Sequence, residues 1–209
     1  MQSAMSRAVL ASFVALAAGC GGSSTLMPPR FDLASFQRIG LVRFSSNAED
    51  DLETLASREF LESLQSSQPG VPVLELGNEK EVLATIGRDR IDPAAVKALG
   101  EAYDLDAVIV GDLAVTDVKP RVDIARVLSS ASVAADVEAA LTTRILDAES
   151  GATLWTRSAR SEQSVANAGV DAGGGFHIET RDPEAAYGSL VQHLVHTVTE
   201  DFRPYWVKQ

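Results

Sequence analysis

The residue with the clearest chemical role is Cys20, the only cysteine among the 209 residues of the chain. Arg7 lies in a short basic start, and an uncharged, mainly apolar run from Ala8 to Gly19 ends in small residues directly before the cysteine. A basic start, an apolar run and a small-residue cleavage site are the layout of an export signal. The run is shorter than the ~20 apolar residues that a spanning helix needs. The sequence therefore predicts a signal peptide over residues 1–19, cleaved between Gly19 and Cys20.

The segment Leu16-Ala17-Ala18-Gly19-Cys20 resembles the bacterial lipobox, although Ala17 stands where leucine is commonest. The resemblance implies that the Cys20 thiol is acylated and that this residue begins the mature chain. Several acyl chains anchor a protein stably, whereas one chain binds reversibly. By the same resemblance, Gly21 in place of an aspartate favours the periplasmic face of the outer membrane. The alternative is an ordinary signal peptide with an incidental cysteine.

The segment after the cysteine predicts a tether, because Gly21 to Arg30 are rich in Gly, Ser, Thr and Pro. We therefore expect an acylated cysteine and a flexible tether over residues 20–35, and a single α+β periplasmic domain over residues 36–209. No second cysteine remains in the mature sequence for a disulfide or a thiolate metal site.

The net charge of −11 narrows the classes of partner. Nucleic-acid binding depends on neutralising phosphates, so an acidic chain disfavours it. The same charge disfavours spreading of the whole domain over an anionic lipid surface. Improved solubility explains the acidity more simply than an acidic binding face does.

Two histidines come nearest to a metal site. His193 and His196 are three residues apart and share a helical face, with Glu200 one turn further on. Zinc needs three or four converging ligands, and His177, the remaining histidine, is distant in sequence. We therefore predict surface or helix-packing histidines and no metal.

The remaining candidates for catalysis are equally sparse. The neighbouring acids Asp50-Asp51 and Glu200-Asp201 diverge on a helix and make poor acid–base pairs. No Gly-x-Ser-x-Gly motif is present, and the Gly173–Gly175 run lacks the Lys-Ser or Lys-Thr of a phosphate-binding loop. The sequence thus predicts no enzyme and no cofactor.

The periodicity of apolar residues predicts the element order β-α-β-α-α-β-β-β-α. Asn78 with Glu81 predicts a capping box, and Asp92-Pro93 predicts the start of the next helix. The predicted elements are strands at 38–44, 71–76, 106–118, 133–145 and 154–165 and helices at 52–64, 79–86, 92–102 and from about 183. Helices packed on a mixed sheet make this an α+β fold.

The segment Val133 to Ile145 alternates apolar and polar residues, which predicts a strand with one buried face. An acidic, glycine-containing turn follows it, and the segment from Leu154 to Val165 is expected to return as the partner strand. Gly111 in the preceding strand predicts a bulge or a close approach. Trp155 is interpreted as a core or sheet-face residue rather than a ligand platform.

The tail contains Tyr205 and Trp206, and aromatic residues are enriched at interfaces. We predict these two residues as a possible contact surface, with docking of the tail onto its own domain favoured. Pro204 is expected to end or kink the last helix.

The order of elements and three phrases are similar to the CsgG-like family. That family includes the curli secretion pore subunit, the penicillin-binding-protein activator lipoproteins and the amino-terminal domain of TolB. The matching phrases are Ile39 to Phe44, Leu105 to Asp112 and Arg144 to Trp155. The resemblance covers about residues 36–207.

The resemblance implies an envelope protein that contacts other proteins. The segments at which the pore subunit inserts its hairpins correspond to residues 119–132 and 165–181, which are short and polar here with only Phe176 as an aromatic residue. A membrane-spanning strand needs ~9–11 residues and an apolar lipid-facing row. We therefore expect a lipid-anchored periplasmic adaptor for a peptidoglycan synthase or a secretion complex. The alternatives are an oligomeric curli-type channel component and an envelope enzyme.

Overall fold

The computed structural model describes residues 24–48, 51–116, 119–123, 132–170, 176–180 and 183–208. The strands are β1 (Ser24–Met27), β2 (Ile39–Val42), β3 (Ser45–Ser46), β4 (Val73–Gly77), β5 (Ala107–Val115), β6 (Lys119–Asp123), β7 (Ser132–Asp147), β8 (Thr153–Val170), β9 (Phe176–Thr180) and β10 (Tyr205–Lys208). The helices are α1 (Leu52–Ser67), α2 (Glu79–Ile86), α3 (Pro93–Tyr103) and α4 (Pro183–Val198).

The main sheet has eight strands and mixes parallel with antiparallel pairs. Its order is β4-β2-β5-β7-β8-β9, with β3 beside β5 and β6 beside β7. Strand β2 runs parallel to both β4 and β5, whereas the pairs from β5 to β9 are antiparallel. The predicted α+β class with helices on a mixed sheet is confirmed.

Helices cover the two faces of this sheet unequally. Helices α1 and α4 pack against each other and against one face, where they enclose the larger core cluster, which includes Phe60, Ile109 and Leu194. Helices α2 and α3 cover part of the other face over a smaller cluster that includes Val96 and Val108.

Strand β7 shows the predicted alternation. Val137, Ala139, Leu141, Thr143 and Ile145 are buried, whereas the intervening Glu138, Ala140, Thr142 and Arg144 are not. The turn after β7 is held by Asp147, whose carboxylate accepts the Ser150 hydroxyl and backbone N–H. These hydrogen bonds lower the pKa of Asp147. The hairpin of β7 and β8 is confirmed.

The local signals for α2 and α3 are also confirmed. Asn78 and Glu81 form the reciprocal capping box, and the Asp92 side chain accepts the Ala95 N–H at the start of α3. Hydrogen bonds of this kind satisfy helix N–H groups that have no partner within the helix. Helix α4 ends at Val198, and a 3₁₀ turn over Glu200–Phe202 precedes Pro204.

Gly111 allows a close approach, as predicted. A Cβ atom at this position would lie 2.5 Å from the Phe44 ring. The ring of Phe44 is 2 % exposed and packs 5.2 Å from that of Phe60. Glycine at this point in β5 therefore lets an aromatic side chain pack directly on the strand.

Two expectations need correction. The tether predicted for residues 20–35 is structured in its distal part, because Ser24–Met27 form β1 and Leu33 is fully buried. The Gly- and Ala-rich run of residues 167–175 predicts a loop, but its first part continues β8 to Val170, which pairs with β9. Strands β6 and β9 are short, and each pairs with a longer neighbour over five residues.

Candidate functional site

The two ends of the described chain meet in an antiparallel ribbon made of β1 and β10. Leu26 lies opposite Trp206, and Met27 lies opposite Tyr205. The side chain of Trp206 is 66 % exposed, so it does not dock onto its own domain as the tail was expected to do. Tyr205 is half-buried and lies under the Arg30 guanidinium, which is 4.8 Å from the centre of its ring. The predicted contact residues thus stand on the ribbon with Trp206 outward.

Asp201 connects the base of the ribbon to the rest of the domain through hydrogen bonds. Its carboxylate accepts hydrogen bonds from Trp155 Nε1 at 3.2 Å and Arg157 Nη1 at 2.9 Å, and Arg30 Nη1 lies 3.6 Å away. Its backbone carbonyl accepts the Phe31 N–H. Asp201 therefore joins the chain entering the domain to the β7–β8 hairpin and to the chain leaving the domain.

Gln68 makes a second junction that the sequence did not reveal. This side chain is 8 % exposed, its Oε1 accepts the Leu33 N–H, and its Nε2 donates to the Phe31 and Phe202 carbonyls. A buried amide with its donor and acceptor both used fixes local geometry. A glutamine between a helix and Pro69-Gly70 has no sequence signature of this role.

An aromatic cluster lies beneath both junctions. The ring of Phe202 is fully buried, 4.8 Å from that of Trp155, 6.1 Å from Phe31 and 6.2 Å from Phe60. Such offset and edge-on pairs are the favoured aromatic geometries. Trp155 is 9 % exposed, which confirms its interpretation as a core residue.

A separate cleft of about 580 Å³ lies at the carboxyl end of β2 and beside the middle of β5. The lining of this cleft includes three arginines and two carboxylates: Arg43, Arg90, Arg144, Glu79 and Asp112. Arg90 also contacts Asp92 at 3.6 Å. Guanidinium groups bind carboxylate or phosphate oxygens, so the arginines of this cleft suit a small anion, while Glu79 and Asp112 add negative charge to it.

His196 and the Glu200-Asp201 pair lie beside arginine side chains. Nδ1 of His196 lies 2.9 Å from Nη1 of Arg203, and His193 is exposed on α4. His177 is on β9. Glu200 and Asp201 converge on Arg157, contrary to the expectation that they diverge. Across the described ranges, no three His, Cys, Asp or Glu side chains are placed to hold a metal ion.

The predicted cleavage and lipidation residues, Gly19 and Cys20, lie outside the described residues, as does Asp50 of the other acid pair. Of the helices that the structure describes, none has the length and apolar character to cross a membrane.

The fold and this surface define an α+β domain with an apolar ribbon at its chain ends. No family model and no curated protein matches the chain. Solved structures similar to it include the PelC dodecamer from Paraburkholderia phytofirmans, with 12 % identity, a TM-score of 0.44, and coverage of 87 % of this chain and 97 % of the other.

Two further similar structures are lipoprotein GNA1162 from Neisseria meningitidis and the LpoB C-terminal domain from Salmonella enterica. The first has 16 % identity and a TM-score of 0.42, and covers 78 % of this chain and 97 % of the other. The second has 9 % identity and a TM-score of 0.34, and the match covers 60 % of this chain and 82 % of the other. Bacterial lipoproteins are among the similar structures.

Proposed function

We propose that this chain is an exported lipoprotein, cleaved before Cys20 and anchored by acyl chains on that cysteine. Its domain acts as a non-catalytic binding module of the CsgG-like type on the periplasmic face of the outer membrane. The partner class is an envelope protein of peptidoglycan synthesis or secretion. The sole cysteine directly follows a segment with the layout of an export signal, and this observation carries the proposal.

The ribbon supports a binding role close to the anchor. Strand β1 begins at Ser24, only four residues after Cys20, and its exposed side chains continue onto β10. Monomeric soluble proteins rarely expose contiguous apolar patches without a binding role. A contact surface beside the point of attachment suits a protein held at a membrane.

Changing Cys20 to alanine tests the anchor. We expect the Cys20→Ala protein to leave the membrane fraction, because the thiol that carries the lipid is gone. Ser24→Ala is the matched control, since Ser24 is exposed on the same segment and its variant should stay with the membranes. A Cys20→Ala protein that still sediments with membranes contradicts the proposal.

Crosslinking in the native envelope tests the binding role. A photoreactive residue at an exposed position outside the ribbon, such as Lys80, is expected to capture an envelope protein, whereas the same probe in the Cys20→Ala protein is not. An oligomeric curli-type channel component is the alternative. Size-exclusion chromatography with light scattering in detergent separates the two, because a monomer excludes the ring and a defined oligomer excludes the monomeric adaptor.

A further inference from the structure

Exposed apolar side chains are concentrated in one place. Of the side chains that the structure describes, six large hydrophobic ones are exposed, and four of these belong to the ribbon: Leu26 at 52 %, Met27 at 38 %, Trp206 at 66 % and Val207 at 40 %. The other two, Leu74 and Leu154, are on different strands. Scattered single residues need no explanation, whereas a clustered group marks a contact surface.

The register places apolar groups on both faces of the ribbon. Leu26 and Trp206 form one cross-strand pair and therefore share a face. The neighbouring pairs, Met27 with Tyr205 and Thr25 with Val207, share the opposite face. An isolated two-stranded ribbon is marginally stable in water. The junctions at Asp201 and Gln68 hold this one at its base, and its outer part has apolar area available for another surface.

The charges of the ribbon differ from those of the chain. The eight residues of β1 and β10 include one cation, Lys208, and no acid, in a chain whose net charge is −11. Arg30 adds a second cation beside Tyr205. Anionic lipid headgroups repel an acidic protein. The ribbon of β1 and β10 contains no acidic residue, so it can approach the headgroups.

Chain length limits how far the ribbon can lie from the anchor. Ser24 comes four positions after Cys20, and at ~3.3–3.6 Å per residue this span is at most about 14 Å long. An acylated Cys20 lies at the membrane surface, so the start of β1 lies within that distance of it. Tryptophan and tyrosine are enriched at this depth because one end of each ring system is apolar and the other is polar.

We propose that the ribbon of β1 and β10 lies on the lipid surface, with Trp206 and Leu26 inserted at the boundary between headgroups and acyl chains. The partner of this surface is the bilayer itself, and the anchor and ribbon together fix the orientation of the domain. This inference rests on the proposed acylation of Cys20. It adds a second point of attachment that an anchor alone does not require.

Quenching of tryptophan fluorescence by brominated acyl chains tests the inference. The full-length acylated protein is reconstituted into phosphatidylcholine vesicles with and without brominated chains, and its acylation is verified by mass spectrometry. The emission of Trp206 is the difference between the wild type and Trp206→Phe, in which the buried Trp155 remains. We expect brominated lipid to remove the Trp206 emission and to leave that of Trp155 unchanged.

A second indole provides the matched control. Lys80 is exposed on the first turn of α2, which follows the carboxyl end of β4. In the Trp206→Phe background, the Lys80→Trp indole should not be quenched. Quenching there equal to that of Trp206 would mean that the domain touches lipid without a preferred orientation, and would overturn the inference.

The outcomes separate this inference from the proposed function. Protein without acyl chains refutes the anchor and removes the basis of the inference. Acylated protein whose Trp206 emission survives brominated lipid keeps the anchor and refutes the lipid contact. If Trp206 becomes shielded only when an envelope protein is added, the ribbon is a protein-docking surface and the lipid contact is refuted as well.

Discussion

The same two chain segments, residues 24–36 and 199–208, contribute to both a buried aromatic cluster and the exposed apolar ribbon. Phe202 is fully buried, and four residues later Trp206 is 66 % exposed. Leu33 is fully buried, whereas Leu26 is 52 % exposed. The junctions at Asp201 and Gln68 lie between the two parts. The domain therefore buries one part of each segment, at Leu33 and Phe202, and exposes apolar side chains on the other part, at Leu26 and Trp206. This contrast indicates that the exposed part is a contact surface.

Phe202→Ala is expected to have the largest effect on stability. Removing a fully buried phenylalanine that contacts Trp155, Phe31 and Phe60 leaves a cavity and typically costs about 3–5 kcal/mol. The free energy of unfolding, measured by urea denaturation of the full chain, checks this. A loss below about 1 kcal/mol would contradict the assignment of this cluster as the core beneath the ribbon.

Asp201→Asn tests the junction. The carboxylate holds Arg157 and Trp155 and is 14 % exposed. Hydrogen bonds between charged and polar partners contribute about 1.5–3 kcal/mol each at most, so we expect a loss of about 1–3 kcal/mol. The wavelength of the Trp155 fluorescence emission should also shift, because the indole N–H loses its charged hydrogen-bond acceptor.

Glu200→Gln is the matched control for this junction. Glu200 binds the same arginine but is 51 % exposed, and exposed ion pairs contribute about 0–1 kcal/mol. Equal losses in the two variants would show that Asp201 has no special place between the buried cluster and the ribbon.

Trp206→Ser is expected to have the smallest effect on folding. The side chain is mostly exposed, and surface substitutions usually change the free energy of unfolding by less than about 0.5 kcal/mol. Urea denaturation of the detergent-solubilised protein checks this value. A loss above about 1 kcal/mol would mean that Trp206 stabilises the domain itself and would remove the contrast between ribbon and cluster.

Sequence reasoning succeeds where the information is local. The Asn78 capping box, the Asp92-Pro93 helix start and the alternation in β7 each depend on neighbours within a few residues. The close approach at Gly111 is also predicted correctly, because glycine in a strand has few physical explanations.

The features that the sequence does not predict depend on distant partners. Strand β1 forms because it pairs with β10 at the other end of the chain, and a Gly-, Ser- and Pro-rich segment has no signal for that pairing. Strands β6 and β9 are five residues long, and each pairs with a longer neighbour. The sequence alone makes Asp201 half of a diverging acid pair, since Arg157 approaches it only in the folded hairpin.

The intact mass of the protein extracted from its native membranes tests the central claim most directly. The account predicts a chain that begins at Cys20 and carries additional mass equal to acyl chains on that residue. A chain that begins at Met1 with an unmodified thiol would contradict the anchor, the location and the role of the ribbon together.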